Sequence, residues 1–379
     1  MKTYLNVYFL LLTLIWSACG TSSTEIKTPD SEPQLEQNQP SQPKPSNSDT
    51  TADSDMVPAS DKNENEPELT ENIELGEFSL DAVDSIQVDF LGIANLLAVH
   101  PDRDLFLFME GRMGEKLFLT DRKGTILRRL NKSKDDPSGY GGVCSGANFV
   151  GDTIVVMGSM GTYLFDLQFN FLKNFKKDFL GMMVAIGIDN VAGAQLGKDN
   201  GVLYFNQMAK NNSAYNSPDY YKNFNTLEFL DFETGKIKPI LPLHPLSYLL
   251  KTQKAFQSHP TEFKVQNNRL SFVYHLEPAI YDVNLQDPQL KQSRTPIPIS
   301  NFIADPGFPF GTVKSPNDQD DYAGSVFGLF KSGPYDLIIF QRGLEREKWP
   351  VGIYDHEEMT REMKRRNPDQ WLLRVNGKE

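Results

Sequence analysis

Short runs of hydrophobic residues alternate with polar turns along this chain, and the runs have the length of strands. They recur as DLFLFME (104–110), KLFLTD (116–121), TIVVMG (153–158), TYLFD (162–166), GVLYFN (201–206), TLEFLD (226–231), RLSFVY (269–274), AIYDV (279–283) and DLIIFQ (336–341). Runs such as LFLF and IVV are apolar at successive positions, so both faces of the strand must be covered. That predicts face-to-face stacked sheets or radially packed blades. Helical periodicity is confined to DHEEMTREMKRRNP (355–368). There Asp355 and Glu358 form a capping box, Met359 and Met363 supply an apolar stripe, and Asn367-Pro368 stops the helix. Glu357–Arg361 and Glu362–Arg366 are i,i+4 pairs on its polar side.

A repeat underlies the strands. An apolar run ends in Asp, a turn follows, and a new strand begins after Gly or Asn: TDRKGTIL at Asp121, FDLQFNFL at Asp166 and LDFETGKI at Asp231, with weaker copies at Asp282 and Asp355. The carboxylate accepts from backbone N–H groups in such a turn, and Gly or Asn tolerates positive φ. The intervals of 45, 65, 51 and 73 residues match a four-stranded blade with loop insertions. The reading is all-β: a six-bladed β-propeller over residues 77–379 with a short C-terminal helical insert. FSLDAVDSIQVDF (78–90) and WLLRV (371–375) are expected to share the sheet that closes the ring.

The runs LAVHPDRDLFLFMEGRMGEKLFLTDRKGTILRRL and NTLEFLDFETGKIKPILPLHPLSYL resemble the blades of Bacteroidetes six-bladed propeller lipoproteins, related to NHL and TolB-like propellers. The resemblance spans roughly 77–355 and consists of turns and apolar positions. It implies a propeller fold and brings no catalytic set with it. The C-terminal helix departs from the pattern.

The N-terminus gives an address. Lys2 precedes a mostly apolar run from Val7 to Trp16, about half the length of a membrane-spanning helix. A signal peptide over residues 1–18 fits better than a permanent anchor. Ser17-Ala18-Cys19 resembles the lipobox of bacterial lipoproteins, with Trp16 where an aliphatic is usual. Lipidation of Cys19 is the leading reading, with plain secretion and an uncleaved anchor as alternatives. Residues 19–76 then form a disordered acidic, Pro-rich tether. From Gly20 to Gly76 there is no aromatic residue, and seven prolines, 13 acidic residues and three lysines occur. Such a stretch buries too little apolar surface to offset its ordering entropy. As a flexible coil it reaches roughly 40 Å. The expected location is the bacterial cell envelope, as an outer-membrane lipoprotein facing the periplasm or the cell surface.

Charge follows from that division. Of the net −12, the leader contributes +1 and the tether −10, which leaves −3 for residues 77–379. The folded part is close to neutral, and no basic field points to nucleic acid.

Candidate chemistry is sparse. The loop 207–224 offers Tyr215, Asn216, Tyr220 and Tyr221 as a binding surface for a sugar ring or a protein partner. Asp318, Asp320 and Asp321 make a weak calcium candidate that lacks the EF-hand order, and a solvated surface loop is the leading reading of them. His275 and Glu277 would share one strand face, two residues apart, with no third ligand placed by spacing. Cys144 has no adjacent CxxC or His and reads as a buried apolar residue. No GxSxG, HExxH, P-loop, CxxC or dinucleotide motif occurs.

Together these features predict a tethered, monomeric propeller that binds or assembles with an envelope protein or a glycan, without catalysis or an obligatory cofactor. The rival is a propeller hydrolase or lyase whose metal ion sits in the central channel, one ligand per blade. The two separate in a thermal melt of residues 77–379 after EDTA treatment, with and without millimolar Ca²⁺. A native-state metal at a hundred times its Kd adds about 2.7 kcal/mol, an upward shift of a few degrees. The binding reading expects no shift.

Overall fold

The strand-length apolar runs fold as antiparallel meanders, each strand paired with the one before it. The computed structural model describes residues 85–375 except 112–115, 131–135, 137, 142, 159–160, 177–190, 206–215, 257–260, 313–321, 351 and 353–354. The signal peptide, Cys19 and the acidic tether lie outside the described residues.

The first sheet contains β1 (Ala94–Val99), β2 (Leu105–Glu110), β3 (Lys116–Asp121) and β4 (Ile126–Leu130). The second contains β5 (Cys144–Val150), β6 (Thr153–Gly158), β7 (Gly161–Phe165) and β8 (Phe171–Lys176). The third contains β9 (Val191–Leu196), β10 (Asp199–Phe205), β11 (Asn225–Asp231) and β12 (Ile237–Pro242), with helix α1 (Pro218–Asn223) between β10 and β11. One helical turn, α2 (Tyr248–Lys251), leads to the fourth sheet of β13 (Thr261–Gln266), β14 (Arg269–Tyr274), β15 (Ala279–Asn284) and β16 (Gln292–Pro296). The fifth has three strands: β17 (Tyr322–Ser332), β18 (Tyr335–Leu344) and, after helix α3 (His356–Arg366), β19 (Gln370–Val375). The first strand of each sheet lies beside the first strand of the next, from β1 through β5, β9 and β13 to β17. This is a propeller arrangement of five sheets.

Six blades were expected, and five sheets are found among the described residues. The difference lies at the closing strand. Residues 85–90 form no strand. They lie instead against the β3–β4 turn, where Asp89 N donates to Gly124 O at 3.4 Å and the Phe90 ring sits 5.1 Å from Phe118. Gly124 has φ +81°, and a Cβ there would lie 1.9 Å from Gln87 O, so this turn tolerates only glycine. Among the described residues WLLRV pairs with β18 alone, Ile338 opposite Leu372 and Ile339 opposite Trp371.

Apolar runs without alternation are explained by sheets that are covered twice. On β6, Ile154 and Val156 pack toward the first sheet, while Val155 and Met157 pack toward the third. On β14, Leu270, Phe272 and Tyr274 join the core shared with the third sheet, and Val273 joins the core shared with the fifth. Each fully buried side chain of this size contributes about 1.5–3 kcal/mol.

The Asp turns appear where the first three repeats place them. Asp121 Oδ1 accepts from Lys123 N and Thr125 N, both at 2.9 Å. Asp166 Oδ1 accepts from Gln168 N and Asn170 N, both at 2.8 Å. Asp231 accepts from Glu233 N at 2.9 Å and from Thr234 Oγ1 at 2.7 Å. The two weaker copies differ. Asp282 lies within β15, and Asn284 and Asp287 cap the following turn instead. Asp355 is the N-cap of α3, accepting from Glu358 N at 2.8 Å. Along that helix Glu362 pairs with Arg366 at 2.8 Å, as the spacing predicts, and Met359 and Met363 are half-buried rather than fully covered.

Asp282 has another task. Its carboxylate faces the fifth sheet, accepting from Ser271 Oγ at 2.5 Å and lying 3.3 Å from Arg374. Arg374 also places two nitrogens on Asp336 Oδ2, at 2.9 and 2.6 Å, and Lys331 Nζ reaches Asp336 Oδ1 at 2.8 Å. Two anions and two cations thus neutralise one another between the fourth and fifth sheets. Asp336 is fully buried. Removing it strands two partly buried cations, so Asp336→Ala is expected to cost about 3–5 kcal/mol in urea unfolding. Asp231→Ala, which removes the carboxylate bonds of one turn without stranding a buried cation, is expected to cost several-fold less.

Candidate functional site: a cleft beside His244

Beyond β12 the chain reads LPLHPLS, and the His-Pro pair sets the local geometry. Pro245 restricts the residue before it to extended backbone. His244 Nδ1 then accepts from Leu246 N at 3.1 Å, and His244 O accepts from Ser247 N at 2.8 Å, which turns the chain into α2. The same arrangement occurs before β2, where His100 Nδ1 accepts from Asp102 N at 3.2 Å across Pro101. With Nδ1 accepting, the proton of a neutral His244 sits on Nε2.

His244 lines a cleft of about 490 Å³ between the outer strand of the third sheet and the β15–β16 turn of the fourth. Its other walls include Asn225, Pro239, Pro242, Leu290 and Gln292. No Phe, Tyr, Trp or charged side chain lines it. Two of its leucines adopt left-handed backbone, Leu241 at φ 60° and Leu290 at φ 48°. Each costs of order 1–3 kcal/mol relative to an extended conformation. Gln292 spans the cleft floor: its Nε2 donates to Pro242 O at 2.7 Å, and its Oε1 is buried with no hydrogen-bond partner.

A polar layer supports this floor. Tyr281 packs its ring 5.6 Å from His244 and donates its hydroxyl to Glu277. Glu277 also accepts from Tyr248 N, and Arg294 lies 3.6 Å away. Burial and the Glu277 carboxylate push the Tyr281 hydroxyl far above the ordinary tyrosine range, so it stays a donor. Burial, with Arg294 and Lys251 nearby, holds His244 below the usual histidine range, so it stays neutral at pH 7. The cleft is therefore lined by a neutral imidazole among apolar walls, with the unpartnered Gln292 Oε1 buried just beneath its surface.

The residues singled out in the sequence are placed elsewhere. Tyr220 and Tyr221 lie on α1 with 6% and 3% of their surfaces exposed, inside the core of the third and fourth sheets. Tyr221 Oη accepts from Phe256 N at 2.8 Å. Their rings are committed to packing and present no stacking surface. Asn216 is half-buried and bonds Thr312 O through Nδ2 at 3.2 Å. Tyr215, Asp318, Asp320 and Asp321 lie outside the described residues. His275 and Glu277 fall in the β14–β15 turn rather than on a strand: His275 faces Glu262 at 3.5 Å, whereas Glu277 faces Tyr281. Cys144 is a buried core residue, its thiol pushed up to about 12 by burial. Among the described residues no group of three His, Cys, Asp or Glu is placed to hold a metal ion. None of the helices there is long and apolar enough to cross a membrane. The one sequence signal for the cleft is the HP pair between prolines; nothing local marks Gln292.

No known family profile matches the chain, and no curated protein matches it. Among solved structures it is similar to a member of the DUF4221 family from Bacteroides vulgatus ATCC 8482, at 9% identity over 67% of this chain and 75% of that one, with a TM-score of 0.42. It is also similar to a Bacteroides fragilis NCTC 9343 protein provisionally named as exported, at 12% identity over 69% of this chain and 68% of that one, with a TM-score of 0.41.

Because the folded chain disfavours the imidazolium, His244 is expected to titrate below 6.5 by NMR. The unfolded chain then binds the extra proton first, so stability falls as the pH drops below about 6.5. His244→Asn is expected to flatten the decline in melting temperature between pH 7 and pH 5; an unchanged slope would refute this assignment.

Proposed function

We propose that this chain is a lipid-tethered binding module of the bacterial cell envelope, and that the cleft beside His244 receives an extended, uncharged peptide segment of an envelope protein. The carrying observation is the pairing in one cleft of the His244 Nε2–H donor with the unpartnered Gln292 Oε1. A peptide group offers the complement of both: a carbonyl for the imidazole and an N–H for the carboxamide. An unmade hydrogen bond at a buried acceptor costs about 1–3 kcal/mol, which an incoming N–H would recover.

The wall chemistry supports peptide over sugar. Proline and leucine fit aliphatic side chains, and no aromatic platform is present for a pyranose face. The absence of charge at the lining disfavours ionic ligands. A cleft of this volume falls within the range of small-ligand sites, enough for a few residues of chain. The lipobox-like Cys19 and the acidic stretch after it supply the tether, and the sheets supply a rigid platform.

Two measurements test the halves of the proposal separately. Cys19→Ala is expected to move the full-length protein from the membrane to the soluble fraction. A photo-crosslinker at exposed Gln289, on the cleft rim, is expected to give a protease-sensitive adduct in cells, at least fivefold weaker when Gln292→Leu removes the acceptor. An adduct sensitive to glycosidase instead, or one indifferent to Gln292, would overturn the peptide reading while leaving the tether standing.

A further inference from the structure

The outer strands of the first four sheets are not alike. In the turns that precede them, Asp121 N donates to Thr125 O and Asp166 N to Asn170 O, whereas Asp231 N donates to Lys236 O, one residue further on. The two shorter turns leave an extra residue in the strand that follows, and it is absorbed as a β-bulge. On β4, Thr120 pairs with Ile126 and Leu119 with Arg128, so Leu127 is passed over. On β8, Phe165 pairs with Phe171 and Leu164 with Lys173, so Leu172 is passed over. Neither β12 nor β16 has such a bulge.

The bulges hold leucines in water. Leu127 is 38% exposed and Leu172 53%, with Phe171 beside it at 40%. Leu91 is fully exposed next to β4, because it follows the Phe90 ring that lies under Arg129. Among the described residues of the third and fourth sheets no Leu, Ile, Val, Met or aromatic side chain is exposed. Cations follow each bulged leucine: Arg128 and Arg129 on β4, Lys173 and Lys176 on β8, with no acidic residue in either strand. Arg128 donates to Leu127 O at 2.7 Å and Lys173 to Phe232 O at 3.0 Å. Among the described residues only Arg129 has a carboxylate nearby, Glu110 at 3.6 Å. Bulges and cations are ordinary ways to discourage pairing at an edge. Edge protection calls for no exposed leucine, however, since a polar residue at the bulge would serve without hydrating apolar surface.

We infer that the outer edges of the first and second sheets form a membrane-surface contact, in which Leu127 and Leu172 enter the interface of an anionic lipid bilayer and the four cations meet its phosphates. Charge complementarity carries the choice of partner: cations without acidic neighbours in their strands suit a surface of negative headgroups. The first strands of these two sheets, β1 and β5, are neighbours, so the two edges are adjacent. Single leucines between cations, on two separate sheets, make no groove for a partner chain, whereas a fluid interface accepts them one at a time. The inference rests on the membrane location proposed above and not on the His244 cleft. Two leucines and four cations bind a bilayer only weakly, so the contact becomes persistent when a tether raises the local concentration.

The test uses the full chain on vesicles of phosphatidylcholine, with or without phosphatidylglycerol, and a nitrobenzoxadiazole label on one introduced cysteine. Cys144 is buried, and the unsubstituted chain gives the labelling background. With phosphatidylglycerol present, labels at Leu127→Cys and Leu172→Cys are expected to brighten at least threefold and to be quenched by a nitroxide held within the bilayer. A label at Thr295→Cys, exposed on β16 of the fourth sheet, is expected to do neither. Adding Arg128→Glu and Lys176→Glu is expected to cut the brightening at least threefold, with the melting temperature retained as evidence of folding. Labels that stay dark at both leucines while the chain floats with the vesicles overturn the inference and leave the tether standing; a chain that does not float overturns both. Brightening at one leucine only, equal brightening at Thr295→Cys, or brightening indifferent to phosphatidylglycerol overturns the inference as well.

Discussion

A strand that is apolar on both faces must be covered on both, and much of the architecture follows from that constraint. A strand such as TIVVMG has no polar face to turn toward water. Ile154 and Val156 therefore look to one neighbouring sheet and Val155 and Met157 to the other. Sheets that stand side by side, each inner one serving two cores, meet this requirement. Those cores are apolar for three sheet pairs. Between the fourth and fifth sheets, a layer of Val273, Ile280, Val326 and Ile338 is capped by the ions Asp282, Lys331, Asp336 and Arg374. The ions set the register of the last sheet, because one residue of slip would turn Asp336 away from both of its cations.

The same constraint explains the place of the cleft. Where two sheets diverge toward their outer strands, side chains no longer reach across. Between the third and fourth sheets the gap is bounded by prolines, by two leucines in left-handed backbone and by a glutamine. Buried Glu277 and Tyr281, with half-buried Arg294, lie behind its lining rather than on it. The cleft is thus held by charge yet presents none.

Much of the fold was legible in the sequence, and the reason is local. Strand runs, the missing alternation and the Asp turns at 121, 166 and 231 depend on near neighbours only. The helix at 356–366 was equally plain from Asp355 and Asn367. What failed was nonlocal. FSLDAVDSIQVDF alternates like a strand, but its described residues 85–90 form none, with Phe90 packed against Phe118, and five sheets rather than six are found among the described residues. Asp282 had the look of a turn residue because its neighbours resemble one; only the arrival of Arg374, 92 positions away, explains it. The candidate site was misplaced for a related reason. Tyr220 and Tyr221 sit in a polar, Asn-rich stretch that reads as surface, whereas one helical turn at Pro218 rotates both rings into the core. The cleft, in contrast, draws on residues 225, 239–245 and 289–292, which no short window brings together.

One consequence concerns the order in which the molecule is made. Four sheets are complete as soon as their own consecutive hairpins have left the ribosome. The fifth is not: β17 and β18 emerge together, but the third strand arrives only after α3. Until then Asp336 has Lys331 beside it but lacks Arg374, which is still inside the exit tunnel. The seam between the fourth and fifth sheets is therefore completed later than the other three, and a ribosome that stalls within α3 holds sheets whose buried Asp336 still awaits one of its cations.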